Sequence, residues 1–135
     1  MEIAKNKVFN AEVSELQKVQ SFVLQTLSDL HLDLKLQNQL NIVIEELFVN
    51  VASYAYKNGG EIEIKVEAKN SEISITFIDS GMKFNPLEMD DPNIDAKAEE
   101  RRIGGLGIFM VKNMMDDVQY KYEENKNILT IVKKY

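Results

Sequence analysis

Two neighbouring segments constrain the fold more than any other feature. Residues 61–69, EIEIKVEAK, set Ile62, Ile64 and Val66 against Glu61, Glu63, Lys65 and Glu67 in alternation. Residues 71–79, SEISITFID, alternate again through Ile73, Ile75 and Phe77. Side chains of a strand point alternately to its two faces, so each segment reads as a strand with one buried face. Only Lys69, Asn70 and Ser71 join the two alternating runs, and the pair reads as a hairpin.

The flanking sequence supplies what such a hairpin packs on. EIAKNKVF, residues 2–9, alternates weakly and suggests a first strand. Asn10 is placed to cap a helix over about residues 11–30, whose apolar stripe is Val13, Leu16, Val19, Val23, Leu24 and Leu27. A second helix is expected over about 33–57, stopped by Asn58, Gly59 and Gly60. Residues 80–104 break the pattern and hold both prolines, and a loop of that length in a compact domain is functional or disordered. GLGIFMVKNMMD reads as a short, largely buried helix, and DVQYKY with NILTIVKKY as a second hairpin. The order is strand, two helices, hairpin, loop, helix, hairpin. It points to an α+β sandwich, with helices on one face of a mainly antiparallel sheet.

Bulk properties narrow the function. The chain has 135 residues, enough for one domain spanning 1–135 with one core. It has no run of 18 apolar residues, and its first ten residues lack the apolar stretch of a signal peptide. No membrane partner is expected. Absence of cysteine removes disulfides and thiolate chemistry, and favours the cytoplasm. The net charge of −6 disfavours a direct partner made of nucleic acid, though not a bound nucleotide. One histidine, His31, reads as a surface loop residue, so a His-based catalytic pair or multi-histidine metal site is excluded.

Three short signals carry chemistry. In the second helix, Leu36, Leu40, Val43, Leu47, Val51 and Tyr54 form one stripe. Gln39, Glu46, Asn50, Ser53 and Lys57 form a polar lane beside it, with Ile42 and Val49 beyond. Glu46 and Asn50 are spaced i, i+4 and share a face, while Glu45 points away. A carboxylate and an amide aimed together can orient a hydroxyl, and their oxygens suit Mg2+. The bland alternative is a solvated stripe. At the end of the second hairpin strand, Asp79 can accept a hydrogen bond from an adenine amino group, and Gly81 allows close backbone approach. The alternative is a plain Asp-Ser-Gly turn. In RRIGGLG, Gly104, Gly105 and Gly107 precede or open a helix, where free N–H groups bind anions, and Arg101 and Arg102 add positive charge. The spacing is not that of a P-loop, and the dinucleotide fingerprint needs a parallel βαβ context.

In order, EELFVN, DSGMKF and GGLG resemble the N, G1 and G2 boxes of the GHKL ATPases, the superfamily of gyrase and the histidine kinases. The compact length, the Phe-Asn-Pro after the G1 box and IGGLGIFMVKNMMDDVQY are most similar to the anti-sigma-factor serine kinases of the RsbW and SpoIIAB type. This resemblance implies a two-layer α/β sandwich of the Bergerat type, on a mainly antiparallel mixed sheet. It implies ATP and Mg2+, and phosphorylation of a serine on a STAS-domain anti-sigma-factor antagonist. Many members also bind a sigma factor, often as homodimers. By position it makes Glu46 the general base, Asn50 the residue that helps hold Mg2+, and Asp79 with Gly81 the adenine site. Gly104, Gly105, Leu106 and Gly107 become the phosphate loop, and residues 85–103 an ATP lid with Arg101 or Arg102 near the γ-phosphate. Two positions depart from the pattern. Lys83 stands where full G1 boxes have a second glycine, and Tyr54 where many relatives have a histidine. Two rival functions remain open: a nucleotide-dependent protein-binding switch without useful kinase activity, and a histidine-kinase-like domain acting in trans.

Overall fold

The structure, a computed structural model, describes residues 2–56, 58–88 and 106–135, with only the backbone of Leu106. Its elements are β1 (Ile3–Asn10), α1 (Leu16–Thr26), α2 (Leu34–Asn50), β2 (Glu61–Lys69), β3 (Glu72–Asp79), α3 (Leu106–Met114), β4 (Asp117–Glu123) and β5 (Lys126–Lys134). The five strands form one sheet in the order β1-β2-β3-β5-β4. Every pairing among the described residues is antiparallel, where a mainly antiparallel mixed sheet was expected.

Both expected hairpins are present, and their turns explain their register. Asn70 and Ser71 connect β2 to β3 with φ of 54° and 62°, and Glu124 and Asn125 connect β4 to β5 with φ of 53° and 62°. Two consecutive left-handed residues make the two-residue turn whose twist matches that of the strands it joins.

The alternation selects the buried face. Ile62, Ile64, Val66 and Ala68 of β2 line up with Asp79, Phe77, Ile75 and Ile73 of β3, and all are buried. Asn127, Leu129 and Ile131 continue these rows on β5. Against this face lie Val19 and Val23 of α1, then Leu40, Val43, Ile44, Leu47 and Phe48 of α2, and Ile108 and Val111 of α3. Each fully buried side chain of this size contributes roughly 1.5–3 kcal/mol by leaving water. The opposite face carries Thr76 and Thr130, whose hydroxyls meet at 3.1 Å across the β3–β5 pair. No helix of the described residues is long and apolar enough to cross a membrane.

The helical readings change at their ends. The first helix is narrower than 11–30: α1 is flanked by 3-10 turns at Val13–Glu15 and Ser28–Leu30. Asn10 is not its cap, because it remains the last residue of β1, paired with Glu61. His31 is exposed and left-handed, with φ 51°. Asp33 caps α2 by accepting from the Leu36 N–H at 2.8 Å. After Asn50 the coil widens into a π-helical turn over Val51–Ala55. That change of pitch shifts the phase of the stripe. Tyr54, expected on the apolar side, is 71% exposed, and Tyr56 packs against the core instead.

Candidate active site

Of the expected polar lane, Glu46 and Asn50 stand together on α2, Ser53 lies exposed on the turn that follows, and Lys57 lies outside the described residues. Glu45 is exposed, while Glu46 and Asn50 are half-buried. One helical turn apart, they touch: the Asn50 Nδ2 donates to Glu46 Oε1 at 3.4 Å, a long hydrogen bond. This orientation leaves the Asn50 carbonyl oxygen as the end available to a cation. The Glu46 carboxylate lies directly on the first turn of α3, and a Cβ added at Gly107 would fall on its atoms. A side chain at this position would displace the carboxylate from the helix start. The positive end of the α3 dipole is a favourable place for that negative charge.

The π turn connects this wall to the end of β3. Widened turns of this kind recur at functional sites. Ala55, its last residue, accepts from the Met82 N–H at 2.9 Å, and a Cβ at Gly81 would strike the Ala55 backbone. The close approach expected at Gly81 is thus made first by the chain itself. Tyr56 follows, its ring against Gly60. Its hydroxyl donates to the Glu61 carbonyl at 2.7 Å and accepts from the Ser80 N–H at 2.8 Å. Burial pushes the Tyr56 phenol above its ordinary value, and the nearby Asp79 charge adds to this, while the bond from Ser80 opposes it.

Asp79 ends β3 on the helix-facing side and is 5% exposed. Its Oδ1 accepts from the Gly81 N–H at 2.9 Å and from Asn127 Nδ2 at 3.0 Å. No described hydrogen bond uses Oδ2. Asn127, buried on β5, also donates to the Met82 carbonyl at 3.0 Å. Its Oδ1 accepts from the Phe84 N–H at 3.1 Å and from the Tyr120 hydroxyl at 2.5 Å. Burial, then the Asp79 charge, pushes the Tyr120 phenol up. The loop that leaves Asp79 is held further by Lys83 over the Tyr122 ring at 5.1 Å, and its described part includes a 3-10 turn, Pro86–Glu88, with Pro86 buried.

Among the expected site residues, Glu46, Asn50 and Gly107 come together, as do Asp79 and Gly81, and the π turn links the two groups. Arg101, Arg102, Gly104, Gly105 and residues 89–103 of the expected lid lie outside the described residues, and Leu106 opens α3. Sequence reading missed Asn127, Tyr120 and Tyr56. Asn127 had a signal: it is a polar residue in the inward register of β5, in phase with Leu129 and Ile131. Among the described residues there is no cluster of three or more His, Cys, Asp or Glu able to hold a metal. A cation here needs further oxygens from its ligand.

An α+β sandwich with a carboxylate–amide pair on one helix, facing the glycine start of another, and an aspartate at a central strand end, has the architecture of the histidine-kinase-like proteins. Residues 9–133 match the family model for the histidine kinase-like ATPase domain, and the chain belongs to that family. It is similar to the serine-protein kinase RsbW of Listeria innocua, 29% identical over 96 residues, which are 67% of this chain and 61% of that protein. It is similar also to RsbW of Bacillus mycoides, 28% identical over 95 residues, 67% of this chain and 59% of that one. The chain thus spans about three fifths of the length of the relatives it matches. The solved RsbU and RsbW domains of a Mycobacterium tuberculosis protein share the fold, with a TM-score of 0.70 at 12% identity over 97% of this chain and 32% of that one.

Proposed function

We propose that this protein is an ATP-dependent serine kinase of the anti-sigma-factor type, acting in the cytoplasm on a serine of a STAS-domain antagonist. Partner switching with a sigma factor, and a homodimer, belong to the same reading. The observation that carries it is the contact of the Glu46 carboxylate with both Asn50 and the first turn of α3. A phosphate brought to that turn lies beside the carboxylate that is to take the serine proton. The names of the similar RsbW proteins support the kinase over a histidine-directed activity.

The chemistry follows from the side chains. Asp79 Oδ2 accepts the adenine amino group, and Gly81 lets the base sit against the backbone. The start of α3 is the site for phosphate oxygens, where Glu46 now lies against Gly107, and Gly104 and Gly105 are assigned to the same phosphate loop. The Asn50 carbonyl oxygen faces the phosphates as a hard ligand. Mg2+, when bound, neutralises phosphate charge there and makes phosphate and carboxylate compatible neighbours. Glu46 accepts the proton of the attacking serine hydroxyl and orients that oxygen. Arg101 or Arg102 supplies positive charge to the γ-phosphate.

The test is transfer of labelled γ-phosphate from ATP to a purified STAS-domain protein, with calorimetric ATP binding alongside. Glu46→Ala is expected to keep ATP affinity within about threefold and to lower transfer by ~10²-fold or more, the size of a general-base effect. Asp79→Asn is expected to weaken ATP binding at least tenfold. Transfer retained in Glu46→Ala removes the base assignment. Wild-type binding without any transfer leaves a nucleotide-dependent switch.

A further inference from the structure

We infer that Asn127 is the positioning residue that makes Asp79 selective for a 6-amino purine. This deepens the ATP-binding reading and rests on it.

The Asn127 amide is fully used. It has two donor hydrogens and two acceptor lone pairs, and all four are engaged. The donors go to Asp79 Oδ1 and the Met82 carbonyl, and the acceptor takes the Phe84 N–H and the Tyr120 hydroxyl. The orientation of the amide is not arbitrary, because a carbonyl can only accept and an N–H can only donate. The amide therefore presents its nitrogen to Asp79 and Met82 and its oxygen to Phe84.

The consequence falls on Asp79. A carboxylate rotates easily about its last side-chain torsion, and its two oxygens are equivalent until something distinguishes them. The Gly81 N–H and Asn127 both bind Oδ1, which fixes the plane of the group and leaves Oδ2 as the acceptor without a partner among the described residues. A fixed, largely buried acceptor rewards an amino group and penalises a carbonyl in the same place, because an oxygen opposite a carboxylate leaves both unpaired. Without Asn127, Asp79 keeps among the described residues only the Gly81 N–H, two residues along its own chain, and can turn to suit either base.

The same amide ties the Met82–Phe84 turn to β5, so the loop that follows the base-reading aspartate takes its path from Asn127 too. Tyr120, on β4, holds the amide from behind. The arrangement spans β3, β4, β5 and the loop.

The experiment is calorimetric titration of the full chain with Mg2+ and either ATP or inosine triphosphate, which carries a 6-oxo group. Wild type is expected to favour ATP at least tenfold. Asn127→Ala is expected to lose at least tenfold in ATP affinity and less than threefold in inosine triphosphate affinity, so the preference collapses. Tyr120→Phe keeps the ring and removes one bond to the amide, and is expected to lower the preference about threefold. It decides the matter if Asn127→Ala does not fold. Equal losses for both nucleotides, or an unchanged preference in the folded variants, would overturn the inference by reducing Asn127 to a structural role. Wild type that binds ATP without preferring it overturns the inference alone. Wild type that binds neither nucleotide overturns the proposed function, and this inference with it.

Discussion

Gly107 and Gly81 both stand where a methyl group would collide, but the atoms they would meet differ. At Gly107 the collision is with the carboxylate of Glu46, the far end of a flexible side chain. At Gly81 it is with the backbone of Ala55, which cannot step aside. Gly107→Ala should therefore fold. Alanine is also a better helix former than glycine by roughly 1 kcal/mol, so the melting temperature should hold or rise. Its cost falls on chemistry, because the displaced carboxylate no longer faces the phosphates, and phosphotransfer should drop by ~10-fold or more. Gly81→Ala should lower both the melting temperature and ATP affinity. Melting curves and transfer rates for the pair check this: a stable, fully active Gly107→Ala would show that the Glu46 position beside α3 does not matter. At this scale the sequence was informative about which residues to suspect. Glu46 and Asn50 share a face because four residues make about one helical turn, and they do touch. The collision partners of the glycines could not be read, because Ala55 and Glu46 are distant in sequence from the residues they crowd.

The element that decides the site's shape is the end of α2. Strands and hairpins were legible because alternation over eight or nine residues is a strong period, and two-residue turns leave little freedom. The helix was legible as far as Asn50. Beyond it, the π turn over Val51–Ala55 gave no sequence signal, because its residues suit an ordinary helix equally well. What selects the wider turn is tertiary: the Ala55 carbonyl receives Met82, and the Tyr56 hydroxyl binds Ser80 and Glu61. Tyr56→Phe removes the hydroxyl and leaves a donor and an acceptor unpaired, at a cost of about 1 kcal/mol in stability. It should also change the alkaline limit. Burial raises the folded phenol above its unfolded value near 10, so the neutral form is favoured in the fold. That contribution is complete below pH 10. It is lost as pH rises past 10 through the folded value, since the unfolded chain ionises first. Denaturant titrations between pH 9 and 11.5 should show wild type losing stability more steeply than Tyr56→Phe. Parallel curves would mean that the phenol ionises alike in both states.

At the scale of the molecule, charge and ligand must be reconciled. The chain carries −6, and the proposed nucleotide site includes Glu46 and Asp79, yet the proposed ligand is itself strongly anionic. The fold is set by apolar rows that the sequence displays openly, so the sandwich was legible; the Asp79–Asn127–Tyr120 network was not, because it joins three strands across 48 residues or fewer by contacts that no local period encodes. With so much negative charge in place, the phosphates can enter only with compensation, and among the described residues no carboxylate cluster holds a cation beforehand. Cation and nucleotide should then bind as a unit. At 100 times the dissociation constant, a ligand that binds only the folded state stabilises it by about 2.7 kcal/mol. For a chain of this length that is a rise of roughly 8–10 °C in melting temperature. Mg2+ with ATP should produce it, ATP with a chelator should give less than half, and Mg2+ alone should give almost none. An equal rise with chelator present would mean that the phosphates are held by basic groups alone, and that Asn50 has no part in holding a cation.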